Sequence, residues 1–517
     1  MTGRARWMFA LLVAAALMVA GCGSTQKKST TGASDVLRIP YLADMSVPDP
    51  DVFYDIEGNA VILNQYEGLL KYAPGSTDIV GSLADSWTVS PDRLTYTFKL
   101  HPGVTFHSGA PLTSQAVKDS FQRRLDVNSA PAYMLKPVKS MSTPDPLTFV
   151  VRLKRPVNPF LDYMASSWGP KVIGPEAIET NAGKDFGQTW LRTHGDGTGP
   201  YKLTGFARGR QYTLTRNDAY WGTKANFKTV LIKITPDIGT QRLELQNGDL
   251  DAVVKSFPAS ELSSLPSSLV VQKKPSNLRL LLYVNTHKAP FDDPAARAGL
   301  RSSIDTDQLV TQAYAGTATK STGAYPEALL PGQPSLPYAV DDAKAKAAAS
   351  KASTKKITLA YTADESGVQR RVGELIQAKL RNAGYDVTLR EVQLPDTYGY
   401  VKHLKAAPDL MLQTNTPDAA HPDTWARIVF YSTGGLNFFG YSDKAVDADL
   451  DKALEAPRAE ATKLYQDVGR KVIDSNSMFF LGDVKDVFVL KTDLASVQSV
   501  PEYPWTVTYA ALKRAGS

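Results

Sequence analysis

The side chains able to act as nucleophiles, bases or metal ligands are numerous in this 517-residue chain, but they are not grouped. Its six histidines fall at positions 101, 107, 194, 287, 403 and 421, and no two stand at i, i+4. With one cysteine in the whole chain, Cys22, there is no Cys or His cluster for zinc and no partner for an intramolecular disulfide. Neither a G-x-S-x-G elbow nor a G-x-x-x-x-G-K-[ST] loop occurs, so no common serine hydrolase or nucleotide-hydrolysing motor is announced. Gly195, Gly197 and Gly199 miss the G-x-G-x-x-G spacing, and Pro200 removes an amide that a phosphate cradle would use; a tight turn is the better reading. Carboxylate pairs arise by chance in a chain this long, and without geometry none is promoted to an acid and base pair. The expectation is a protein that is not an enzyme and has no built-in metal or cofactor.

The elements that would position a site begin with an export signal. Arg4 and Arg6 precede an unbroken apolar run of 14 residues, Trp7 to Ala20. A membrane span needs roughly 17 to 25 such residues, whereas this length suits the core of a signal peptide. Val19-Ala20-Gly21-Cys22 resembles the lipobox of bacterial lipoproteins, which implies cleavage before Cys22 and acylation of its thiol. Residues 1–21 are thus read as signal and 22–35 as a lipid-anchored tether, Gly/Ser/Thr-rich through Ser34. The full chain is 43% hydrophobic and 21% charged, with a formal charge of +6. That balance suits a globular body of two or three domains, and the small charge excess excludes nucleic acid as a default partner.

Period-two alternation at Leu94 to Leu100, Phe149 to Leu153 and Val230 to Ile234 predicts strands. Val368, Val372, Leu375, Ile376 and Leu380 lie on one helix face between strand-like Ile357 to Tyr361 and Val387 to Val392, a βαβ unit with Gly384 as C-terminal cap. Two further amphipathic helices pass through Val446 to Leu454 and Leu464 to Ile473, followed by strand-like Met478 to Leu481 and Val487 to Leu490. The Ala/Lys-rich stretch from Asp341 to Lys356 is read as an exposed helix or loop with no site in it. No fixed repeat period is present.

From Gly197 to Gly222 the chain reads GTGPYKLTGFARGRQYTLTRNDAYWG, which resembles the signature block of the peptide/nickel class (family 5) of bacterial extracellular solute-binding proteins that serve ABC transporters. Similar blocks stand at Tyr66-Glu67-Gly68-Leu69, Leu83 to Phe121, Leu281 to Asp305 and Asn437 to Ala453, in the expected order. The resemblance implies an α/β, two-lobed periplasmic-binding-protein-like fold with a ligand cleft between the lobes and an extra subdomain in the first. Lobe I would comprise residues 36–286 with 491–517, and lobe II residues 287–490, with hinges near Tyr283-Val284-Asn285 and Val489-Leu490-Lys491. His107 and the pair Tyr220-Trp221 are read as turn or core residues.

In peptide-binding relatives a carboxylate in a motif resembling W-x-x-D-Y-x-D-P-D meets the ligand's α-ammonium. The corresponding stretch is Asn415 to Trp425, NTPDAAHPDTW, and alignment on Pro422 puts Asp418 at that position. Asn415, Ala419 and His421 replace the motif's tryptophan, tyrosine and next acidic residue, so peptide specificity is loosened. The other reading of Asp418 is a loop cap. Tyr66, Trp168 and Trp425 are candidates for cleft walls, each with core packing as the plain alternative. Arg427 would pair with a ligand carboxylate or form a salt bridge. The function implied is that of a monomeric, lipid-anchored receptor which captures oligopeptides or dipeptides outside the membrane and hands them to a separate permease and ATPase. The same role for a nickel chelate, sugar, opine or other small molecule stands beside it, as do a secreted hydrolase and a surface sensor.

Overall fold

The computed structural model describes residues 35–515, apart from 365 and 496. The signal and tether segments through residue 34, with the proposed lipidation site Cys22, lie outside the described residues. No described helix is long and apolar enough to cross a membrane, and no group of described side chains could hold a metal ion.

The six-stranded sheet at the centre of the second lobe runs Ala318–Lys320, Met478–Val484, Arg279–Val284, Leu410–Asn415, Lys356–Thr362, Asp386–Val392. Its inner strand Arg279–Val284 has every residue buried: helices cover both faces, Leu280 to Val284 supply the apolar run such a strand needs, and the Arg279 charge is met by Asp483 at 2.6 Å. Leu280, Leu282 and Val284 join the core beneath helices Pro294–Ser303, Thr306–Tyr314, Asp342–Lys351 and Val368–Ala383. Leu281 and Tyr283, one residue out of phase, join the core beneath Pro422–Val429, Lys444–Glu455 and Arg458–Ser475. The expected βαβ unit is present, with the two flanking strands parallel and Gly384 capping the helix in the left-handed region at φ 109°. The Ala/Lys-rich stretch forms Asp342–Lys351, capped by the Asp341 side chain. Its alanines permit close approach to the helix Pro294–Ser303: a Cβ on Gly299 would come within 2.2 Å of the Ala348 Cβ.

The first lobe holds a mixed sheet in the order Val36–Tyr41, Thr229–Ile234, Gln211–Arg216, Tyr201–Ala207. A separate antiparallel sheet, Ala84–Val89, Thr95–Leu100, Thr148–Leu153, Val138–Asp145, carries the helix Ser114–Val127; it is the extra subdomain. The glycine block works by close approach. A Cβ on Gly197 would lie 2.0 Å from the Gln65 carbonyl oxygen, and one on Gly199 would lie 2.6 Å from that of Asn64. Tyr220 and Trp221 are held against the body by hydrogen bonds of 2.9 Å to the Glu67 carboxylate. His107 hydrogen-bonds the Gly199 carbonyl at 2.9 Å, and burial pushes its pKa down to about 4.

Sheet pairing divides the chain earlier than the sequence suggests. The strand Arg279–Val284, expected to end lobe I, is central to the second lobe's sheet. The strand Asp486–Lys491, expected to end lobe II, pairs with Ala252–Val253 and Leu269–Lys274 of the first lobe. The chain therefore changes sheets at residues 275–278 and again at Lys485. The expected boundary fell too late because Leu280 to Val284 is a continuous apolar run with no turn signal of its own to say which sheet it joins.

Candidate functional site

Between the lobes lies a cavity of about 390 Å³. Asp55, Lys255 and Trp505 of the first lobe face Gln369, Leu394 and Gln413 of the second across it. Asp418 sits beside this cavity rather than in its wall, linked to it through Tyr54 and Asp55. It follows the strand Leu410–Asn415 on the loop that enters the helix Pro422–Val429, where His421 caps the helix by accepting from the Asp423 amide at 3.1 Å.

Asp418 is buried, and first-lobe side chains hold it. The hydroxyls of Tyr54 and Tyr133 both donate to Oδ2 at 2.6 Å, and the Ser166 hydroxyl donates to the Asp418 main-chain carbonyl at 2.5 Å. Among the described residues nothing donates to Oδ1. Burial pushes the Asp418 carboxyl pKa up while the two tyrosine hydroxyls oppose the rise. An isolated carboxylate in such a place is short of a positive partner.

Aromatic packing fixes these donors. Tyr54 meets the Trp168 ring edge-on at 5.6 Å, and the Trp168 indole donates to the Asp55 carbonyl at 2.9 Å. Tyr133 meets Tyr163 edge-on at 5.7 Å. Nearby, Tyr72 accepts from the Ala420 amide at 2.8 Å and donates to Asp162 Oδ1 at 3.2 Å; burial raises the Asp162 pKa to about 7.

Of the other residues singled out in the sequence, the structure packs Trp168 against Tyr54, one of the side chains that hold Asp418, and puts the remaining three elsewhere. Tyr66 is buried under the loop through Gly195 and Gly197, in the first lobe's own core. Trp425 is fully buried in the second lobe, where its indole donates to the Ala324 carbonyl at 2.9 Å. Arg427 is committed to Asp423 at 3.0 and 3.1 Å and to Asp451 at 3.0 Å, the salt-bridge reading rather than a ligand contact. Tyr54, Tyr133 and Ser166 were not foreseen, since nothing local in their segments marks them as partners of a residue hundreds of positions away.

A second bridge joins the lobes at the end of the helix Lys444–Glu455, whose last carbonyls would otherwise lack partners. Arg93 of the extra subdomain donates to the Ala456 carbonyl at 2.9 Å and also to that of Glu455. Asn158 donates to the Ala453 carbonyl at 2.6 Å through its side chain and to that of Leu454 at 2.9 Å through its amide.

Two sheet-centred lobes enclosing a cavity, with first-lobe hydroxyls reaching a buried carboxylate of the second, define a fold of the two-lobed periplasmic-binding class. The particular family follows from comparison: residues 78–437 match the family described as bacterial extracellular solute-binding proteins, family 5 Middle, and the chain belongs to it. It is similar to the probable D,D-dipeptide-binding periplasmic protein DdpA of Escherichia coli, 30% identical over 86% of this chain and 88% of that one. It is similar also to the glutathione-binding protein GsiB of Pectobacterium atrosepticum, 26% identical over 97% of each. Among solved structures, DppA of Helicobacter pylori in complex with the peptide STSA superposes with a TM-score of 0.78 at 24% identity, over 93% of this chain and 98% of that one. NikA of Brucella suis in complex with Fe(III)-EDTA superposes with 0.82 at 21% identity, over 93% and 100%. The chain is thus a family 5 solute-binding protein of the kind that serves ABC importers, and its family acts outside the cytoplasm. Its relatives are binding proteins rather than enzymes.

Proposed function

We propose that this protein captures short peptides with a free amino terminus and presents them to a membrane permease and its ATPase. The observation that carries this reading is the vacant Oδ1 of the buried Asp418. A desolvated ammonium needs a charge-assisted partner, and a desolvated carboxylate needs a cation; each meets the other's requirement here. The two sheet changes at residues 275–278 and at Lys485 would serve as the hinge, with ligand capture favouring the state in which both lobes touch Asp418. Cys22 would carry the lipid that holds the protein at the outer face of the membrane, and the body would act as a monomer. The D,D-dipeptide and glutathione named for the relatives above are both short peptides with a free amino terminus, which supports this class over a metal chelate.

The test is calorimetric titration of the purified protein with a dipeptide and its N-acetylated form, before and after Asp418→Ala. Removing one partner of a buried pair costs about 3 to 5 kcal/mol, so affinity for the free peptide should fall at least a hundredfold while the acetylated peptide binds weakly to both. Equal affinity for the two forms in the wild-type protein would remove Asp418 from the ligand site. Native mass spectrometry of the untreated protein supplies the second check: short-peptide masses support the reading, and a single non-peptide mass overturns it.

A further inference from the structure

The two places where the chain passes between the lobes, residues 275–278 and Lys485, are gripped by one stretch of the first lobe, residues 501–505. The Asn277 amide donates to the Pro501 carbonyl at 2.9 Å, and the Asn277 side chain donates to Glu502 Oε2 at 2.5 Å. On the other crossover, Asp486 follows Lys485 directly, and its Oδ2 accepts from the Trp505 amide at 3.1 Å. The crossovers also hold each other, the Val484 amide donating to the Leu278 carbonyl at 2.8 Å. A rotation of one lobe against the other about these crossovers therefore disturbs the surroundings of both carboxyl groups.

Asp486 and Glu502 are fully buried, and each leaves one oxygen, Asp486 Oδ1 and Glu502 Oε1, without a hydrogen-bond partner among the described residues. The charged groups around them do not supply what is missing. Lys274 stands opposite Asp486 in the strand register but is half-buried, as is Lys485. Lys255, over the Trp505 ring at 5.2 Å, is paired with Glu57 at 2.9 Å. Asp418 and Asp162 act on Glu502 with charge of its own sign. Burial pushes the Asp486 carboxyl up to about 8 against the Trp505 amide and the Ser276 hydroxyl. It pushes Glu502 well above the usual carboxylate range against the Asn277 side chain. A carboxyl group buried without a cation keeps its proton.

We propose that Asp486 and Glu502 form a proton-operated latch on the hinge, holding the lobes closed while they carry protons and freeing them when the protons pass to water admitted at the crossovers. This rests on the reading of residues 275–278 and Lys485 as the hinge. The neutral acid suits the buried position, whereas the carboxylate needs water that only a parted crossover supplies. Once wetted, both groups return to the usual carboxylate range of about 4, so closure takes up protons. The latch is fully set below about pH 4 and weakens as pH rises to about 8, each carboxyl lowering the closed-to-open ratio by up to about tenfold per pH unit. Trp505, whose amide Asp486 holds, also lines the interlobe cavity, which joins the latch to the space a ligand would fill.

The test is small-angle scattering of the ligand-free full protein from about pH 5 to about pH 9, spanning the range over which the latch is released, with Asp486→Asn, Glu502→Gln and the double variant. Each substitution keeps the size of the acid and stands in for its protonated form, and the melting temperature of each variant verifies the fold. The wild-type radius of gyration should rise with pH, each single variant should lose part of the rise, and the double variant should stay close to the low-pH radius. Difference infrared spectroscopy reads the protons themselves: the carbonyl stretch of the protonated acids should fade over the same range in the wild-type protein and be weaker from the start in each variant. A wild-type radius independent of pH, or one that rises with no loss of that stretch, would overturn the latch whether or not the variants fold. A rise that the double variant keeps in full would overturn it too, assigning the response to Asp418 instead. None of these results bears on the ligand, which the titrations with Asp418→Ala decide separately.

Discussion

Tyr133 and Asp418 are 285 residues apart in the chain and 2.6 Å apart across the cleft, a first-lobe phenol donating to a second-lobe carboxylate. Were the two lobes to part, the carboxylate would lose this donor and meet water at once, so its ionisation would follow the separation of the lobes.

Replacing Tyr133 with Phe removes one of the two hydroxyls that hold the Asp418 pKa down against burial. The carboxyl should then protonate at a higher pH than in the wild-type protein. If peptides bind through the Asp418 carboxylate as proposed, binding should be lost on acidification at a higher pH in Tyr133→Phe, and at neutral pH the deletion should weaken binding by about 1 to 3 kcal/mol. Titration calorimetry across pH 4 to 8, roughly the range over which shifted carboxyls ionise, reads both effects. Superimposed pH profiles would show that the hydroxyl has no hold on the carboxylate.

Arg93 caps the helix Lys444–Glu455 from the opposite lobe, so it acts only when the lobes are together. Arg93→Ala should shift the ligand-free protein toward the open form, measured as a larger radius of gyration in small-angle scattering. Since hydrogen bonds to a charged group contribute about 1.5 to 3 kcal/mol, ligand affinity should fall roughly ten- to a hundredfold, mostly through faster release. An unchanged radius and an unchanged off-rate would make Arg93 a static surface contact.

Asp162 has its pKa raised to about 7 by burial, against the hydrogen bond from Tyr72. Its folded pKa stands above that of the unfolded chain, about 4, so between these values the folded state holds a proton that the unfolded state has released. Its contribution is fully present below about pH 4 and is lost progressively as pH rises to about 7. Asp486, raised to about 8, acts in the same direction. Asp162→Asn should therefore flatten the fall in melting temperature between these pH values; a slope identical to that of the wild-type protein would mean that Asp162 ionises normally in the folded chain.

Trp425→Ala should cost about 3 to 5 kcal/mol of stability through the cavity it leaves, with the Ala324 carbonyl losing its donor. Because the ring lies wholly inside the second lobe, the surviving folded protein should keep the wild-type order of peptide preferences. A changed order at unchanged stability would return Trp425 to the cleft.

What the sequence disclosed was local. The alternation through Leu94 to Leu100 and the helix face from Val368 to Leu380 formed as read, because each pattern is set by neighbours within a few residues. The importance of Asp418 was legible only through the motif around Pro422. Its partners were not, since the bonds from Tyr54 and Tyr133 depend on how two lobes meet, and no periodicity encodes that. Trp425 and Tyr66 show the opposite error: a large aromatic inside a family motif suggests a ligand, yet in both cases the ring fills a lobe's interior. Arg427 was ambiguous until Asp423, one helical turn earlier, proved to hold it.

The path of the chain also sets an order in time. Every strand of the second lobe's sheet comes from the uninterrupted stretch between Arg279 and Val484. The first lobe, by contrast, still lacks the strand Asp486–Lys491 when that stretch is complete. It also lacks Tyr509, whose hydroxyl meets that of Tyr41 at 3.3 Å, and Arg514, which pairs with Asp251 at 3.0 Å. The half of the molecule that begins first is thus the half that finishes last, and its exposed apolar faces must wait unpaired while more than two hundred intervening residues assemble. A chain with this itinerary is most open to aggregation and to holding by chaperones late in its maturation, at the stage when only the return segment is missing.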